Sequence, residues 1–397
     1  MSVKFADRMQ FMKASEIREL LKVTEQPEMI SFAGGLPAPE LFPVEALKDI
    51  TVRVLAESGM QALQYATTEG FTPLREKIAS RMNIKYQTRL SHDNILITSG
   101  SQQGLDLTGK VFLNEGDAVL CESPTYLGAI NAFAAYRPRM LEVPTDDEGM
   151  LTDELEKILD SVENIRLIYV IPDFQNPSGR SWSLERRRRF MEIVGSRGIP
   201  VLEDAPYSEL RFEGELLPPL KAFDTNGLVI YLGTFSKVFC PGMRIGWVAA
   251  DRDIHEKYIL VKQGADLHSS GLVQRNISMY MDLHDLDEDI ERLKEVYRSR
   301  RDVMLAAMKA EFPEGVRYTF PGGGLFTWAV LPECIDAYEL LEECLKSNVA
   351  FVPGGSFFPN GGGRNTMRLN FSNMPEDRIE EGIRRLGRML RARLDLN

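Results

Sequence analysis

Short apolar runs alternate along this chain with longer segments in which apolar residues recur at helical spacing. Apolar runs rich in Val and Ile are typical of buried strands, whereas recurrence every three or four positions indicates amphipathic helices. The predicted strands lie at 94–98, 118–121, 140–143, 166–171, 200–203 and 228–232. Four helices are predicted between these strands. The first ends at residue 113, the second starts at about residue 126, and the other two occupy 152–162 and 183–196. Strands separated by helices predict an α/β fold with a mostly parallel sheet.

The N-terminal segments have different patterns. Residues 13–24 predict a short amphipathic helix. Residues 31–43 are dense in Gly and Pro but also apolar, which indicates a structured loop or lid rather than a linker. Helical patterns follow over 44–59 and from Thr72, where a Thr-Pro pair is typical of a helix start.

The last third of the chain predicts a second, smaller domain. Helices and apolar segments alternate there, with helices at 288–311, near 336–347 and at 375–394. We therefore expect an N-terminal helix and lid at 1–45 that packs with the small domain, a large domain at 46–287 and a small C-terminal domain at 288–397.

Composition and charge exclude several classes of function. The chain has 397 residues and a formal net charge of -11, so nucleic acid is not an expected partner. One basic run, at 186–189, follows a helix-start pattern and is predicted to be a solvated helix face. No apolar run approaches a membrane span and the N-terminus lacks a signal-peptide core, so no membrane association is expected.

The cysteines and histidines predict neither disulfides nor a metal site. The four cysteines lack C-x-x-C spacing, which is typical of reduced thiols in a cytoplasmic protein. The four histidines lie too far apart in sequence for a local metal motif.

Lys237 is the first candidate for chemistry, because it follows the predicted strand at 228–232 in a turn of small and hydroxylated residues. A lone lysine of this kind is most often an ordinary surface residue. The alternative is a lysine held in a pocket with a lowered pKa, ready to form a Schiff base. Thr234, Ser236 and Arg244 favour the alternative, since hydroxyls and a guanidinium can bind a phosphate. A phosphate beside a Schiff-base lysine suggests pyridoxal phosphate.

Residues 99–104, with the sequence SGSQQG, predict an anion site where a strand turns into a helix. Free backbone N–H groups and the helix dipole favour an anion at such a turn. Turns of this composition are common in α/β proteins, and no nucleotide-binding motif is present, so this segment is informative only together with the other candidates.

Further candidates follow the ends of other predicted strands, where parallel sheets bind ligands. Asp204 could pair with a ring nitrogen of the cofactor and keep it protonated, although a turn or helix-capping aspartate is equally common at such a position. Asn176 and Tyr207 could donate to a ring oxygen, and Tyr126 could lie on the face of the ring.

Six ordered motifs together resemble fold-type I pyridoxal-phosphate aminotransferases. They are SGSQQ (99–103), SPTY (123–126), QNPSG (175–179), EDAPY (203–207), TFSKVFCPGMRIGW (234–247) and NTMRLNFS (365–372). The chain is most similar to the branch of 2-aminoadipate aminotransferases and kynurenine aminotransferase II, over about residues 12 to 390. The resemblance implies a three-layer α/β/α large domain with a mostly parallel sheet and a smaller α+β domain.

The resemblance also implies roles at the cofactor. Lys237 would bond to the cofactor and, once released by substrate, would move the proton at the substrate α-carbon. Asp204 would bond the ring nitrogen, Tyr207 and Asn176 the ring oxygen, and Tyr126 would stack on the ring. The residues implied to hold the phosphate are Gly100, Ser101, Gln102, Thr234, Ser236 and Arg244.

Substrate and subunit contacts are implied in the same way. Arg368 would bind the substrate α-carboxylate through a bidentate pair, with Asn176 and Gly35 beside the substrate. Without the motif, Arg368 could equally be a surface residue at a strand edge. Fold-type I active sites lie at a dimer interface, so we expect at least a homodimer, with Tyr65 reaching in from the second subunit.

The implied reaction moves an amino group between an L-amino acid and a 2-oxo acid. Glutamate and 2-oxoglutarate are one expected pair, and 2-aminoadipate, aromatic or branched-chain amino acids are expected partners. Arg18 would meet the distal carboxylate of an acidic substrate. Two alternatives stay open: a pyridoxal-phosphate lyase or decarboxylase on the same fold, and a non-catalytic aminotransferase-like regulatory domain, which the acidic net charge disfavours.

Overall fold

An eight-stranded sheet forms the centre of the structure, a computed structural model that describes residues 3–12, 20 and 26–395. In chain order the strands are β1 Ile30–Ser31, β2 Ile95–Thr98, β3 Ala118–Ser123, β4 Arg139–Asp146, β5 Gly149–Met150, β6 Ile165–Val170, β7 Val201–Asp204, β8 Val229–Thr234, β9 Gly246–Ala249, β10 Arg317–Tyr318, β11 Phe326–Val330, β12 Val349–Ala350, β13 Val352–Pro353 and β14 Thr366–Asn370. The α-helices are α1 Val44–Leu63, α2 Thr72–Tyr86, α3 Ser101–Phe112, α4 Leu127–Ala134, α5 Thr152–Ser161, α6 Leu184–Gly195, α7 Leu220–Phe223, α8 Arg252–Gln263, α9 Gly271–Leu283, α10 Leu286–Glu311, α11 Ala337–Lys346 and α12 Glu376–Asp395.

The central sheet has the strand order β2-β9-β8-β7-β6-β3-β4-β5. Its strands from β8 to β4 run parallel, whereas β9 lies antiparallel between β2 and β8, and β5 is antiparallel at the edge. The predicted mostly parallel sheet is confirmed. Strand β9 is absent from the sequence prediction because it follows β8 through a turn instead of a helix and gives no separate periodic signal.

Alternate side chains of the parallel strands pack on opposite faces of the sheet, as the two-residue period of a strand requires. Leu167 of β6 lies in a hydrophobic cluster with α3, α4 and α8, whereas its neighbour Ile168 packs with α5 and α6. Both side chains are fully buried. The sheet therefore has helices on each face, and the predicted three-layer α/β/α arrangement is confirmed.

The C-terminal part of the chain adds an antiparallel sheet with the order β10-β11-β14-β13. Apolar side chains of α10 and α12 share one hydrophobic cluster with this sheet. The segment after β1 joins it as well, since Ile30 pairs with Val349 and the Asn370 backbone N–H donates to the Phe32 carbonyl at 2.9 Å. The division into 1–45, 46–287 and 288–397 stays a prediction, and the predicted helix at 13–24 lies outside the described residues except for Leu20.

The basic run on α6 is not uniformly solvated, so that expectation was wrong at Arg187. This side chain is fully buried, and its Nη2 lies 2.6 Å from Asp173 Oδ1. Arg211 Nη2 lies 2.9 Å from the same oxygen. The helical period turns one residue of a consecutive run toward the sheet, and here a buried carboxylate neutralises the charge that is buried with it.

Three further features concern membrane spans, disulfides and metals. Within the ranges that the structure describes, no helix is both long and apolar enough to cross a membrane. All four cysteines are free thiols. The described residues contain no group of three or more His, Cys, Asp or Glu side chains arranged to hold a metal ion.

Candidate active site

The carboxyl ends of β6, β7 and β8 and the N-terminus of α3 open into one cavity of about 720 Å³. Its volume is typical of a small-molecule site, and its position is the one expected for a ligand of a parallel sheet. The predicted residues that line it are Gly35, Ser101, Gln102, Tyr126, Asn176, Asp204, Tyr207, Thr234, Ser236, Lys237, Arg244 and Arg368.

Lys237 lies in the turn after β8 and points its amine at the cavity. Its Nζ donates to the carbonyl of Gly35 at 2.6 Å. Burial, together with the positive charges of Arg368 and Arg244, lowers the pKa of this amine to about 8. A Cβ at Gly35 would lie 2.9 Å from Phe326 Cζ and 3.9 Å from the amine, so glycine leaves this approach open. A fraction of the amine is therefore neutral near pH 7, as attack on a carbonyl requires.

Asp204 ends β7 with a carboxylate whose two oxygens differ. The side chain is 2% exposed, and Oδ2 accepts a hydrogen bond from the Tyr169 hydroxyl at 3.0 Å. The other oxygen, Oδ1, is buried and has no hydrogen-bond partner among the described residues. Burial raises the pKa of Asp204 to about 7, and the Tyr169 bond opposes that rise. Buried polar atoms are normally paired, so Oδ1 is suited to a donor on a ligand.

Arg368, on β14, is a buried guanidinium without a carboxylate partner in the described part of the chain. It is 1% exposed, Nη1 donates to Asn176 Oδ1 at 2.8 Å, and Nη2 donates to the Ala33 carbonyl at 2.6 Å. Its Nε has no partner among the described residues, and its charge lies 4.2 Å from the centre of the Phe326 ring. Burial lowers the pKa of Arg368 to about 10. A buried charge without a counter-ion is costly, which favours an anionic ligand here.

Asn176 links Arg368 to Tyr207. Its amide donates to the Tyr207 hydroxyl at 3.5 Å, and its carbonyl oxygen accepts from Arg368. The Tyr207 ring meets Phe326 edge to face, with centroids 5.9 Å apart. Burial raises the pKa of Tyr207 above its ordinary value, so its hydroxyl keeps the proton that it can donate to a ligand.

The opposite end of the cavity combines hydroxyls, a helix N-terminus and Arg244. Thr234 Oγ1 donates to Ser236 Oγ at 3.0 Å, and Arg244 donates to the same Ser236 oxygen at 3.4 Å and to the Ser99 carbonyl at 3.3 Å. Gly100 precedes α3 with φ +79°, and a Cβ there would lie 2.4 Å from Arg244 Nη2. Glycine therefore lets the guanidinium reach the start of the helix, an arrangement that favours a phosphate.

Tyr126 and Gln102 border the cavity beside α4. Gln102 Nε2 donates to the Gly128 carbonyl at 3.0 Å. A Cβ at Gly128 would lie 2.4 Å from the Tyr126 ring, so this glycine allows the ring to pack closely against the first turn of α4. Both predicted residues thus lie at the cavity wall.

Tyr65 is not among the described residues that line this cavity. Tyr65 follows the end of α1, is 80% exposed, and meets His268 edge to face with centroids 5.9 Å apart. Arg18 lies outside the described residues. The roles predicted for both stay predictions.

Sequence reasoning missed Tyr169, Phe326 and Glu122. Tyr169 and Phe326 lie inside apolar strand runs, where an aromatic residue is usually plain core. Glu122 is fully buried on β3 and accepts from the Ile171 backbone N–H at 2.9 Å and from Trp182 Nε1 at 2.8 Å, which fixes the loop after β6. A carboxylate inside an otherwise apolar strand is unusual, and that signal could have identified Glu122.

These residues fit pyridoxal phosphate, judged by three features of the cavity. The unpaired oxygen of Asp204 suits the ring N–H, the Arg244 end suits the phosphate, and the partly neutral Lys237 suits the carbonyl. An α/β fold that brings a lysine, a buried aspartate and an arginine beside a helix N-terminus to one sheet edge suits the class of pyridoxal-phosphate enzymes.

Comparison with known proteins gives the same class and narrows it. The model of the aminotransferase class I and II family matches residues 28–386. The chain is 47% identical over 391 residues to aromatic-amino-acid aminotransferase 1 of Thermococcus litoralis, covering 98% of this chain and 94% of the relative. It is also 47% identical over 392 residues to the 2-aminoadipate transaminase of Thermus thermophilus, covering 97% and 96%.

A solved structure shares the fold over its whole length. It is the α-aminoadipate aminotransferase of Thermus thermophilus in complex with N-(5′-phosphopyridoxyl)-L-leucine, with a TM-score of 0.92, 44% identity, and coverage of 99% of this chain and 98% of that chain. The present chain therefore belongs to the class I and II aminotransferase family. It is a pyridoxal-phosphate-dependent enzyme of fold type I that moves an amino group between an amino acid and a 2-oxo acid, as the sequence resemblance predicted.

Proposed function

We propose that the cavity holds pyridoxal 5′-phosphate and an amino-acid substrate side by side and transfers the amino group of apolar, aromatic and acidic amino acids. The observation that carries the proposal is a set of three cations, Lys237, Arg244 and Arg368, which face the cavity without an ion-pair partner in the described part of the chain. Such cations recruit the anionic groups of a ligand, and this ligand pair has a phosphate and a carboxylate.

Lys237 is the proposed catalytic base. When bound, pyridoxal phosphate supplies a carbonyl carbon that takes up the amino group and a ring that stabilises negative charge on the substrate α-carbon. Lys237 holds the cofactor between turnovers and, once its amine is free, moves the proton at the substrate α-carbon. The contact with Gly35 supports this role, because it keeps Nζ at the cavity edge instead of in solvent.

The other lining residues would hold the cofactor in the following way. Asp204 would accept from the ring nitrogen through its free oxygen, which would keep the ring protonated. Asn176 and Tyr207 would donate to the ring oxygen, and Tyr126 would stack on the ring. The residues that would hold the phosphate are Gly100, Ser101, Gln102, Thr234, Ser236 and Arg244.

Arg368 binds the α-carboxylate of the substrate. Its unpaired Nε and the lack of a counter-ion among the described residues suit a carboxylate, and Asn176 already fixes one side of the guanidinium. Gly35 lies beside the substrate, where its lack of a side chain leaves room next to Phe326.

The described cavity wall favours apolar substrate side chains. Once Lys237 and Arg244 serve the cofactor and Arg368 serves the α-carboxylate, no lysine or arginine of the described cavity wall remains for a second carboxylate. Leu36 lies at the same wall and is 45% exposed, so it offers apolar surface to a substrate side chain. Recognition of 2-aminoadipate or glutamate therefore requires a further cation, and we assign that role to Arg18.

A substrate panel tests the assignment of Arg18. Arg18→Ala should raise KM for 2-aminoadipate and glutamate by roughly tenfold or more, since it removes one charge-assisted contact, and should leave KM for leucine and phenylalanine nearly unchanged. Arg8→Ala is a matched control, because Arg8 is an exposed arginine of the same N-terminal segment. Equal effects of Arg18→Ala on both groups of substrates would contradict the role.

We also propose that the active enzyme is at least a homodimer. Helix α1 presents Val52, Met60 and Leu63 to solvent, with 66%, 86% and 73% exposure, and Tyr65 lies two residues after its end. Exposed apolar side chains along one helix suit a subunit interface, and a partner covering them would bring its Tyr65 to the phosphate end of this cavity. Light scattering should give at least twice the chain mass, and a monomer that retains full activity would contradict the proposal.

The domain division and the cellular location stay predictions. Residues 1–45 are expected to move with residues 288–397 over the cavity, since the segment after β1 is bonded to that part of the chain. Free thiols at all four cysteines suit the cytoplasmic location that the sequence suggested.

A half-reaction separates amino transfer from the lyase and decarboxylase alternatives. Mixing the cofactor-loaded enzyme with glutamate should convert the carbonyl form of the cofactor to its amine form, with release of 2-oxoglutarate in equal amount. Release of carbon dioxide, or an unchanged cofactor spectrum with every amino acid in the panel, would contradict the proposed reaction.

A further inference from the structure

Tyr169 is the one described side chain that donates a hydrogen bond to the carboxylate of Asp204, at 3.0 Å from its hydroxyl to Oδ2. The tyrosine lies on β6, the strand next to β7, and is fully buried. Its ring packs edge to face on Phe133, with centroids 6.0 Å apart, so its hydroxyl is held from the sheet side. The Tyr169 hydroxyl therefore holds one oxygen of Asp204, and the other oxygen, Oδ1, stays free to accept from a ligand in the cavity.

We propose that Tyr169 is a positioning residue that fixes the rotation of the Asp204 carboxylate and keeps it anionic for the ring nitrogen of the cofactor. The proposal rests on the function proposed above for Asp204. A carboxylate held at one oxygen presents the other in a single direction, whereas an unheld carboxylate rotates. A donor to the charged form of a carboxylate also favours that form.

The electrostatics of the pair support the direction of this effect. Asp204 is subject to a burial that favours its neutral form, and the hydrogen bond from Tyr169 opposes it. Burial and the Asp204 charge raise the pKa of Tyr169 well above its ordinary value, so the hydroxyl remains a donor at working pH. The other titratable groups that interact with the pair are Tyr126, Glu122 and Tyr207.

Tyr169→Phe removes the hydroxyl and keeps the ring that packs on Phe133. The affinity of the cofactor-free protein for pyridoxal phosphate should fall roughly tenfold, the value of one hydrogen bond to a charged group. The pKa of Asp204, read from its infrared carboxylate band in the cofactor-free protein, should rise by roughly one unit. Both readouts are independent of turnover.

Tyr258→Phe is the matched control. Tyr258 is also fully buried, and its hydroxyl lies 2.7 Å from Thr108 Oγ1, outside the cavity wall. We expect this variant to lose stability like Tyr169→Phe and to keep the wild-type affinity for pyridoxal phosphate. Equal losses of affinity in the two variants would show a general effect of a lost buried hydroxyl and would overturn the proposal.

A cofactor analogue with carbon in place of the ring nitrogen tests whether Tyr169 acts on cofactor binding through Asp204. Because Tyr169 acts through Asp204 on that nitrogen, Tyr169→Phe should not change the affinity for the analogue. An equal loss of affinity for cofactor and analogue would overturn the proposal, as would wild-type affinity for the cofactor. Tyr169→His keeps a ring-borne donor and provides a second variant, with an expected affinity between those of the wild type and Tyr169→Phe.

Asp204→Asn distinguishes a failure of the role proposed for Tyr169 from a failure of the role proposed for Asp204. If it weakens cofactor binding and Tyr169→Phe does not, the role of Tyr169 is wrong and the role of Asp204 stands. If neither variant weakens binding, the proposed contact between Asp204 and the ring nitrogen is wrong as well.

Discussion

Two buried arginines in this protein differ in whether a carboxylate neutralises their charge. Arg187 on α6 is fully buried and lies 2.6 Å from the carboxylate of Asp173, which Ser208 and Arg211 also contact. Arg368 on β14 is 1% exposed and has only neutral partners in the described part of the chain. The same side chain at nearly the same burial is thus neutralised in one region and not in the other.

This difference suggests that Arg187 stabilises the fold, whereas Arg368 is available to bind a ligand. Although burial raises the pKa of Asp173, the charges of Arg187 and Arg211 lower it overall, so that cluster is complete within the fold. Arg368 has no such carboxylate among the residues that the structure describes, and burial lowers its pKa to about 10. A buried charge without a counter-ion is costly, which favours an anion from outside the chain beside Arg368.

The largest expected effect comes from Lys237, which also has no carboxylate partner within the described ranges. Lys237→Ala should lower the turnover number by roughly 10³-fold or more, because it removes both the covalent hold on the cofactor and the base that moves the proton. The cofactor should still bind through its phosphate and ring contacts. Absorbance of the bound cofactor and turnover with glutamate measure the two effects.

Lys221→Ala is the control, because it removes a buried lysine that does have carboxylate partners. Lys221 is a buried lysine whose Nζ lies 2.9 Å from Asp224 and 2.7 Å from Asp251. Its removal should lower the free energy of unfolding and leave the turnover of the folded enzyme nearly unchanged. Full activity of Lys237→Ala would refute the assignment of the site.

A smaller effect, on stability, is expected at the paired arginines. Asp173→Asn leaves Arg187 buried without its counter-ion and should lower the free energy of unfolding by about 3–5 kcal/mol. KM for amino acids should hardly change. Asp147→Asn is the control, because Asp147 is 91% exposed in its pair with Arg180 and such pairs contribute little. Denaturant unfolding measures both variants, and equal stability losses would contradict the distinction.

The smallest effect is a pH dependence of cofactor capture. The pKa of Lys237 is lowered to about 8, so its neutral form is scarce below pH 8 and dominant above it. The rate at which the cofactor-free protein bonds to pyridoxal phosphate should rise roughly tenfold per pH unit up to about pH 8 and then level off. A rate that rises steadily to pH 10 would indicate a lysine with an ordinary pKa and would contradict the account.

The sequence predicted most of the sheet and most of the cavity, for a physical reason. Strand ends of a parallel sheet meet at one edge, so Asp204 and Lys237 could be expected to lie together before any coordinates were known. Burial could not be predicted in the same way. The pattern did not distinguish Arg187 from the other arginines of the run, because its partner Asp173 lies outside the helix, in the loop after β6.

Other residues could not be assigned for a similar reason. In the sequence Tyr169 is part of an apolar run, and only the structure shows that its hydroxyl donates to Asp204. Tyr65 and Arg18 could not be assigned from one described chain, since one is exposed at its surface and the other lies outside the described residues. Contacts between distant segments or between subunits leave no local pattern to read.

The central claim is that Arg368 is completed by the α-carboxylate of the substrate. The most direct test compares L-phenylalanine with 2-phenylethylamine, which lacks that carboxylate, in the half-reaction of wild type and Arg368→Met. The variant should lower kcat/KM for L-phenylalanine by roughly 100-fold or more, the effect of losing a buried charge pair, and leave the value for the amine nearly unchanged. An equal loss for both substrates, or no loss for L-phenylalanine, would contradict the account.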